Sequence, residues 1–146
     1  MLPMDDTKLS VPDKIPDGFK LTTRTDGYSK SFGPIYLNSS EHKIGFFVMA
    51  HHLNPSGICH GGALATFADL QFSAIRSELK TSHGFRPTLT LALDYFSPAP
   101  PGAWVEAEVT LMNANHGTIT TRALITANGK LIAQSRATYH ARTNNS

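Results

Sequence analysis

Apolar and polar residues alternate along much of the second half of the chain. Between Trp104 and Met112, Val105, Ala107, Val109 and Leu111 interleave with Glu106, Glu108 and Thr110. A period of two marks a half-buried strand. Thr88 to Phe96 carries the same signature in β-branched and apolar residues, as do Thr118 to Ala127 and Leu131 to Ala141. Asn128-Gly129 joins the last two as a hairpin turn. Ser97 to Gly102 and Asn113 to Gly117 supply the other turns. Earlier in the chain, Pro34 to Leu37 and Ile44 to Met49 read as shorter strands around the turn residues Asn38-Ser39-Ser40.

One segment has a different period. From His60 to about Lys80, apolar residues fall at Leu64, Phe67, Ala68, Phe72 and Ile75, in steps of three and four. That spacing predicts a helix, stopped by Gly84 and Pro87. The expected class is α+β, one long helix against an antiparallel sheet of five to six strands. A single helix cannot cover such a sheet, so the remainder favours self-association. Pro3, Pro12 and Pro16 lie among charges at the start, which makes residues 1–18 a poorly packed, flexible arm. Residues 19–142 form one domain, and Thr143 to Ser146 a frayed tail.

The length of 146 residues suits a single domain with a core of its own. Lys and Arg number 13 against 11 Asp and Glu, a net charge of +2 with no basic cluster, so a nucleic-acid partner is not expected. One cysteine, Cys59, excludes an intrachain disulfide. The acidic N-terminus does not read as a signal peptide, and no apolar run is of membrane-spanning length. A soluble cytoplasmic protein is the expectation.

Candidate chemistry concentrates between His52 and Asp69. Gly61-Gly62 opens the helix, where backbone N–H groups are unpaired and the dipole is positive. An N–H without a shielding side chain can polarise a carbonyl as an oxyanion hole does. Asp69, among Phe67, Ala68, Leu70 and Phe72, is a carboxylate in apolar company. Such a group is either satisfied by a structural partner or used as a base or nucleophile. His60 suits a cap or a loop-fixing bond better than proton transfer. Asn54 stands at the start of an Asn-Pro turn. A Cys59–His60 dyad and a zinc site from His51, His52 and His60 are weaker alternatives, since neighbours in sequence point apart and the spacing matches no familiar metal site.

The run His52-Leu53-Asn54-Pro55-Ser56-Gly57-Ile58-Cys59-His60-Gly61-Gly62, with Asp69 nine residues beyond His60, resembles the PaaI-like group of hotdog-fold acyl-CoA thioesterases. The resemblance continues through Thr88 to Ala99 and Gly129 to Thr138, and covers roughly residues 35 to 141. It implies a hotdog fold, a homodimer through edge strands, commonly paired into a homotetramer, and active sites shared across the dimer. It also implies roles. Gly61 N–H would polarise the thioester carbonyl, Asn54 would orient water or thioester, and His60 would support the loop. Asp69 of the neighbouring subunit would be base or nucleophile, with Thr88 near the attacking water. Gly62 and His52 would line the substrate site, with no cofactor and no metal. Two departures from the family pattern, Gln71 within the bulkier Leu70-Gln71-Phe72 and Arg86 before Pro87, are further candidates for contact with substrate. Arg86, Arg136 and Arg142 are candidates for the CoA phosphates. The implied activity is hydrolysis of a medium-chain or aryl acyl-CoA. A dehydratase or hydratase of acyl thioesters, and a non-catalytic acyl-CoA-binding protein, are the alternatives.

Overall fold

The computed structural model describes residues 14–22, 27–79 and 86–141. Most of the expected arm lies outside them, as do Lys80, Gly84, Arg142 and the tail. Among the described residues, seven antiparallel strands form one sheet: β1 (Lys20–Leu21), β2 (Tyr36–Asn38), β3 (Lys43–Phe47), β4 (Thr88–Tyr95), β5 (Trp104–Asn113), β6 (Thr118–Ala127) and β7 (Lys130–His140), in spatial order β1-β2-β3-β5-β6-β7-β4. Six were legible as strands; the seventh is the two-residue β1, too short to show a period. The alternation in β5 is the one expected, with Val105, Ala107 and Val109 buried and Glu108 and Thr110 exposed. Asn128 and Gly129 both take positive φ (47° and 85°) and close the β6–β7 hairpin between Ala127 and Lys130. That is the twist-matched turn which the Asn-Gly pair favours.

The helical segment lies on the inner face of the sheet. Leu64, Phe67 and Ala68 of α2 (Gly61–Asp69) and Phe72, Ala74 and Ile75 of α3 (Phe72–Ile75) pack with Phe46, Val105, Ile125 and Ala137 in one core. The expected continuous helix is broken at Leu70-Gln71, and a 3-10 turn, Arg76–Glu78, follows α3. The break has a tertiary cause. Ser73 N–H bonds to Leu70 O and Ala74 N–H to Gln71 O, tightening the turn, while the Tyr139 hydroxyl donates to Asp69 O at 2.7 Å. The carbonyl that a regular helix would have used on Ser73 is thus satisfied from β7. A further helix, α1 (Gly27–Phe32), buries only Phe32 and has no apolar period. It caps the segment that holds the site. Among the described residues no helix is long and apolar enough to cross a membrane.

β4 is an edge strand, bonded to β7 on one side. It is largely exposed, with Leu89, Tyr95 and the adjoining Phe96 open to solvent.

Candidate active site

The loop before α2 is fixed from beneath by a histidine. His52 is 4% exposed. Its Nδ1 accepts the Met49 N–H at 3.0 Å, so Nε2 carries the proton and donates to Phe32 O at 2.6 Å. Burial depresses its pKa to about 4, with His51 adding a smaller push in the same direction. Neutral His52 therefore pins the loop to the end of α1. Expected to bind substrate, it has neither ring nitrogen free to do so. His51 donates to the same Phe32 carbonyl at 2.7 Å.

Asn54 shapes the loop tip. Its Oδ1 accepts from Ser56 N–H at 3.0 Å and Ile58 N–H at 3.2 Å, and its own N–H donates to Ile58 O at 2.8 Å. Gly57, at φ +80°, allows this return. Its Nδ2 makes no hydrogen bond among the described residues. Cys59 is buried, and desolvation pushes its thiol up to about 12. A thiol so held carries no thiolate at neutral pH.

At the helix start, His60 is the N-cap, at φ −61° and ψ 135°. Its Nδ1 accepts the Gly62 N–H at 2.7 Å. A Cβ on Gly62 would lie 2.9 Å from that nitrogen, so the glycine serves the cap. Gly62 N–H, expected to face substrate, is already engaged by His60. The Tyr95 hydroxyl donates to Gly61 O at 2.6 Å. The Gly61–Gly62 peptide is thus held at both ends, its oxygen by β4 and its N–H by His60. The preceding N–H, that of Gly61, has no acceptor among the described residues. It is an orphan donor of the first helical turn, at the positive end of the dipole.

At the far end of α2, Asp69 is half-buried. Thr88 Oγ1, at the start of β4, donates to Asp69 Oδ1 at 2.6 Å. Its backbone is held by Tyr139 as described, and burial, with the Asp69 charge adding to it, raises the Tyr139 hydroxyl above its usual range. Side chain and main chain of Asp69 are therefore both anchored. Beside it lies a largely apolar cavity of about 250 Å³ bordered by Phe32, Ile35 and Leu70.

One further expectation falls elsewhere. Gln71 is fully buried, with Oε1 accepting from Ser135 Oγ at 3.3 Å and Nε2 without a partner among the described residues. It faces the core between helix and β7, away from the cavity. Arg86 lies over the Phe72 ring, 5.4 Å from its centroid, as does Arg76. Arg136 is exposed and directly opposite Arg122 across β6 and β7. Like charges so paired are mildly unfavourable and would be relieved by an anion. Tyr95, Tyr139 and Tyr28 escaped the sequence analysis. Each acts through a contact 34 to 70 residues away in the chain, which local periodicity cannot show.

A central helical segment laid on an antiparallel sheet, its Gly-opened start pinned to the edge strand and a carboxylate at its other end, defines a hotdog-fold protein with a candidate acyl-transfer site. The family model described as the thioesterase superfamily matches residues 56–133, just over half of the chain. The chain belongs to that superfamily. It is similar to the TT0310 protein of Thermus thermophilus, with 29% identity, 86% of this chain and 92% of that one covered, and a TM-score of 0.61. A variant of the phenylacetic acid degradation protein PaaI of the same organism is similar at 28% identity, covering 86% and 94%, with a TM-score of 0.61. Among curated proteins, the tRNA uridine 5-carboxymethylaminomethyl modification enzyme MnmG of Flavobacterium johnsoniae matches at 34% identity over 104 residues, 63% of this chain. The match spans only 17% of that longer protein.

Proposed function

We propose that this protein hydrolyses the thioester of an acyl-CoA carrying a medium-chain or aryl acyl group, at a site built from two copies of the chain. The observation that carries the reading is the pairing of an unsatisfied Gly61 N–H with an anchored Asp69 carboxylate on a single helix. The two open and close α2, so about 12 Å of helix rise separates them. A carbonyl under attack needs its donor and its base each within roughly 3 Å. One chain therefore supplies half a site.

β4 supports the way in which two halves combine. Its end at Tyr95 touches Gly61, and its start at Thr88 touches Asp69. Antiparallel pairing of β4 with its copy, about a two-fold axis between Leu91 and Ala92, sets Thr88 of one chain against Tyr95 of the other. The partner subunit's Asp69 then approaches Gly61. An exposed apolar edge strand is what such pairing needs.

In this arrangement the thioester oxygen lies on Gly61 N–H, and Asn54 Nδ2 aligns the substrate. Water attacks the carbonyl carbon and gives its proton to the partner's Asp69. The tetrahedral oxyanion is held by Gly61 N–H, and its collapse expels the CoA thiolate, which takes up the proton. Direct attack by Asp69 would instead pass through a mixed anhydride that water then opens. His60 holds the loop, Thr88 orients the carboxylate, and the exposed Arg122–Arg136 pair faces solvent where CoA phosphates could be met. Committed on both nitrogens, His52 lacks the free imidazole that a dehydratase pairs with its acid, which leaves that alternative to His60, engaged through Nδ1 alone among the described residues. Thiol release from a panel of acyl-CoAs tests the reading: turnover by the parent, lost in Asp69→Asn, is expected. Undiminished release by Asp69→Asn would remove the assigned role.

A further inference from the structure

Gly62, Thr66, Asp69 and Ser73 recur at helical spacing along one side of the helical segment. Two cavities lie on that side. The first, about 250 Å³, adjoins Asp69, Leu70 and Ser73; the second, about 430 Å³, adjoins His60, Gly62 and Ala63. Tyr28 and Phe32 of α1 line both. Both cavities thus adjoin the helical segment and share the wall that α1 presents to it.

The two shared side chains are held differently. Phe32 is buried, and its carbonyl is gripped by His51 and His52. Tyr28 is 69% exposed, and among the described residues its side chain makes one hydrogen bond, its hydroxyl 3.2 Å from Thr66 Oγ1. Thr66 donates its own proton to Gly62 O, so Tyr28 is the donor to Thr66. One neutral, solvent-exposed bond is worth about 1 kcal/mol or less. Phe32 is a fixed wall and Tyr28 a movable one.

We propose that Tyr28 is the specificity gate of the acyl-binding groove. With Tyr28 on Thr66, the acyl group is confined to the cavity beside Asp69. An apolar cavity of about 150 Å³ holds benzene, so one of about 250 Å³ takes an aryl ring with a short arm or a folded medium chain. With Tyr28 swung away, the two cavities join past the fixed Phe32 and run from Ser73 to His60, roughly 20 Å at 1.5 Å per residue, which admits a long extended chain. This inference rests on the thioesterase reading and assigns its substrate range to one exposed side chain of a helix without apolar period.

The test compares the parent with Tyr28→Ala and Tyr28→Phe on phenylacetyl-, hexanoyl-, dodecanoyl- and palmitoyl-CoA. The kcat/KM ratio of dodecanoyl- to phenylacetyl-CoA is expected to rise about ten-fold or more in Tyr28→Ala, since filling apolar space discriminates by roughly 10- to 200-fold per methylene. Tyr28→Phe, which keeps the ring and loses the bond, gives a smaller rise. A parent that turns over and a folded Tyr28→Ala with the parental ratio overturn the gate alone. A parent without turnover on any of the four thioesters overturns the thioesterase reading, and the gate with it.

Discussion

Replacing Gly61 by proline separates the amide proton from everything else the residue does. Gly61 is the first residue of α2, and proline is favoured there because that N–H is an orphan in any helix. The residue before a proline must be extended, and His60 already is, at ψ 135°. A Cβ at position 61 would meet the Tyr95 ring at 3.5 Å, an ordinary contact. The folded state thus accommodates Gly61→Pro, and the smaller entropy of the unfolded chain adds about 0.4–1 kcal/mol of stability. Activity behaves in the opposite way. Loss of one oxyanion donor costs about 2.7–4 kcal/mol in the transition state, roughly 10²- to 10³-fold in kcat. Gly61→Ala keeps the N–H and adds only the tolerated Cβ, so it stays within about three-fold of the parent, a free-energy change well under 1 kcal/mol. Thermal melts and steady-state thiol release on the three proteins read both quantities. Parental kcat in a folded Gly61→Pro would refute the reasoning, and so would an equal loss in Gly61→Ala, since the N–H would then not be the source of the effect.

Three other outcomes are expected. Tyr95→Phe removes the 2.6 Å bond to Gly61 O; at about 1 kcal/mol for such a bond, kcat falls roughly five- to ten-fold while KM changes little. Thr88→Val removes the bond to the Asp69 carboxylate; bonds to charged groups are worth about 1.5–3 kcal/mol, so kcat falls roughly 10- to 100-fold while the Kd of a non-hydrolysable thioether analogue is unchanged. His52 has its pKa lowered from 6.5 to about 4 by burial, so between those values the unfolded chain binds a proton that the native state refuses. Its contribution is complete above pH 6.5 and is lost progressively as pH falls toward 4, by about 3 kcal/mol in total. Melting temperatures across that window fall more steeply for the parent than for His52→Gln, and equal slopes would show that His52 is not the group responsible.

Features carried by short-range rules were legible in the sequence. The hairpin at Asn128-Gly129, the alternation of β5 and the helix start at His60-Gly61-Gly62 all depend on residues within a few positions of one another. The remainder depends on tertiary contacts. The break after Asp69 is invisible locally, because the residues that answer it, Tyr139 for the Asp69 carbonyl and Ser135 for Gln71, lie 64 to 70 positions on. Gln71 reads as a pocket residue until its burial is seen, and His52 as a ligand contact until both nitrogens are found committed. α1 buries one residue and so leaves no period. Asn54 was legible as a turn residue, and its Oδ1 serves that turn.

A heterodimer purified by two different tags, one chain carrying Gly61→Pro and the other Asp69→Asn, tests the shared site most directly. Each variant alone is inactive. If Gly61 of one copy works with the partner subunit's Asp69, the pair contains one intact site of two and recovers roughly half of the parental kcat per dimer. A heterodimer as inactive as either variant would contradict a site assembled from two chains.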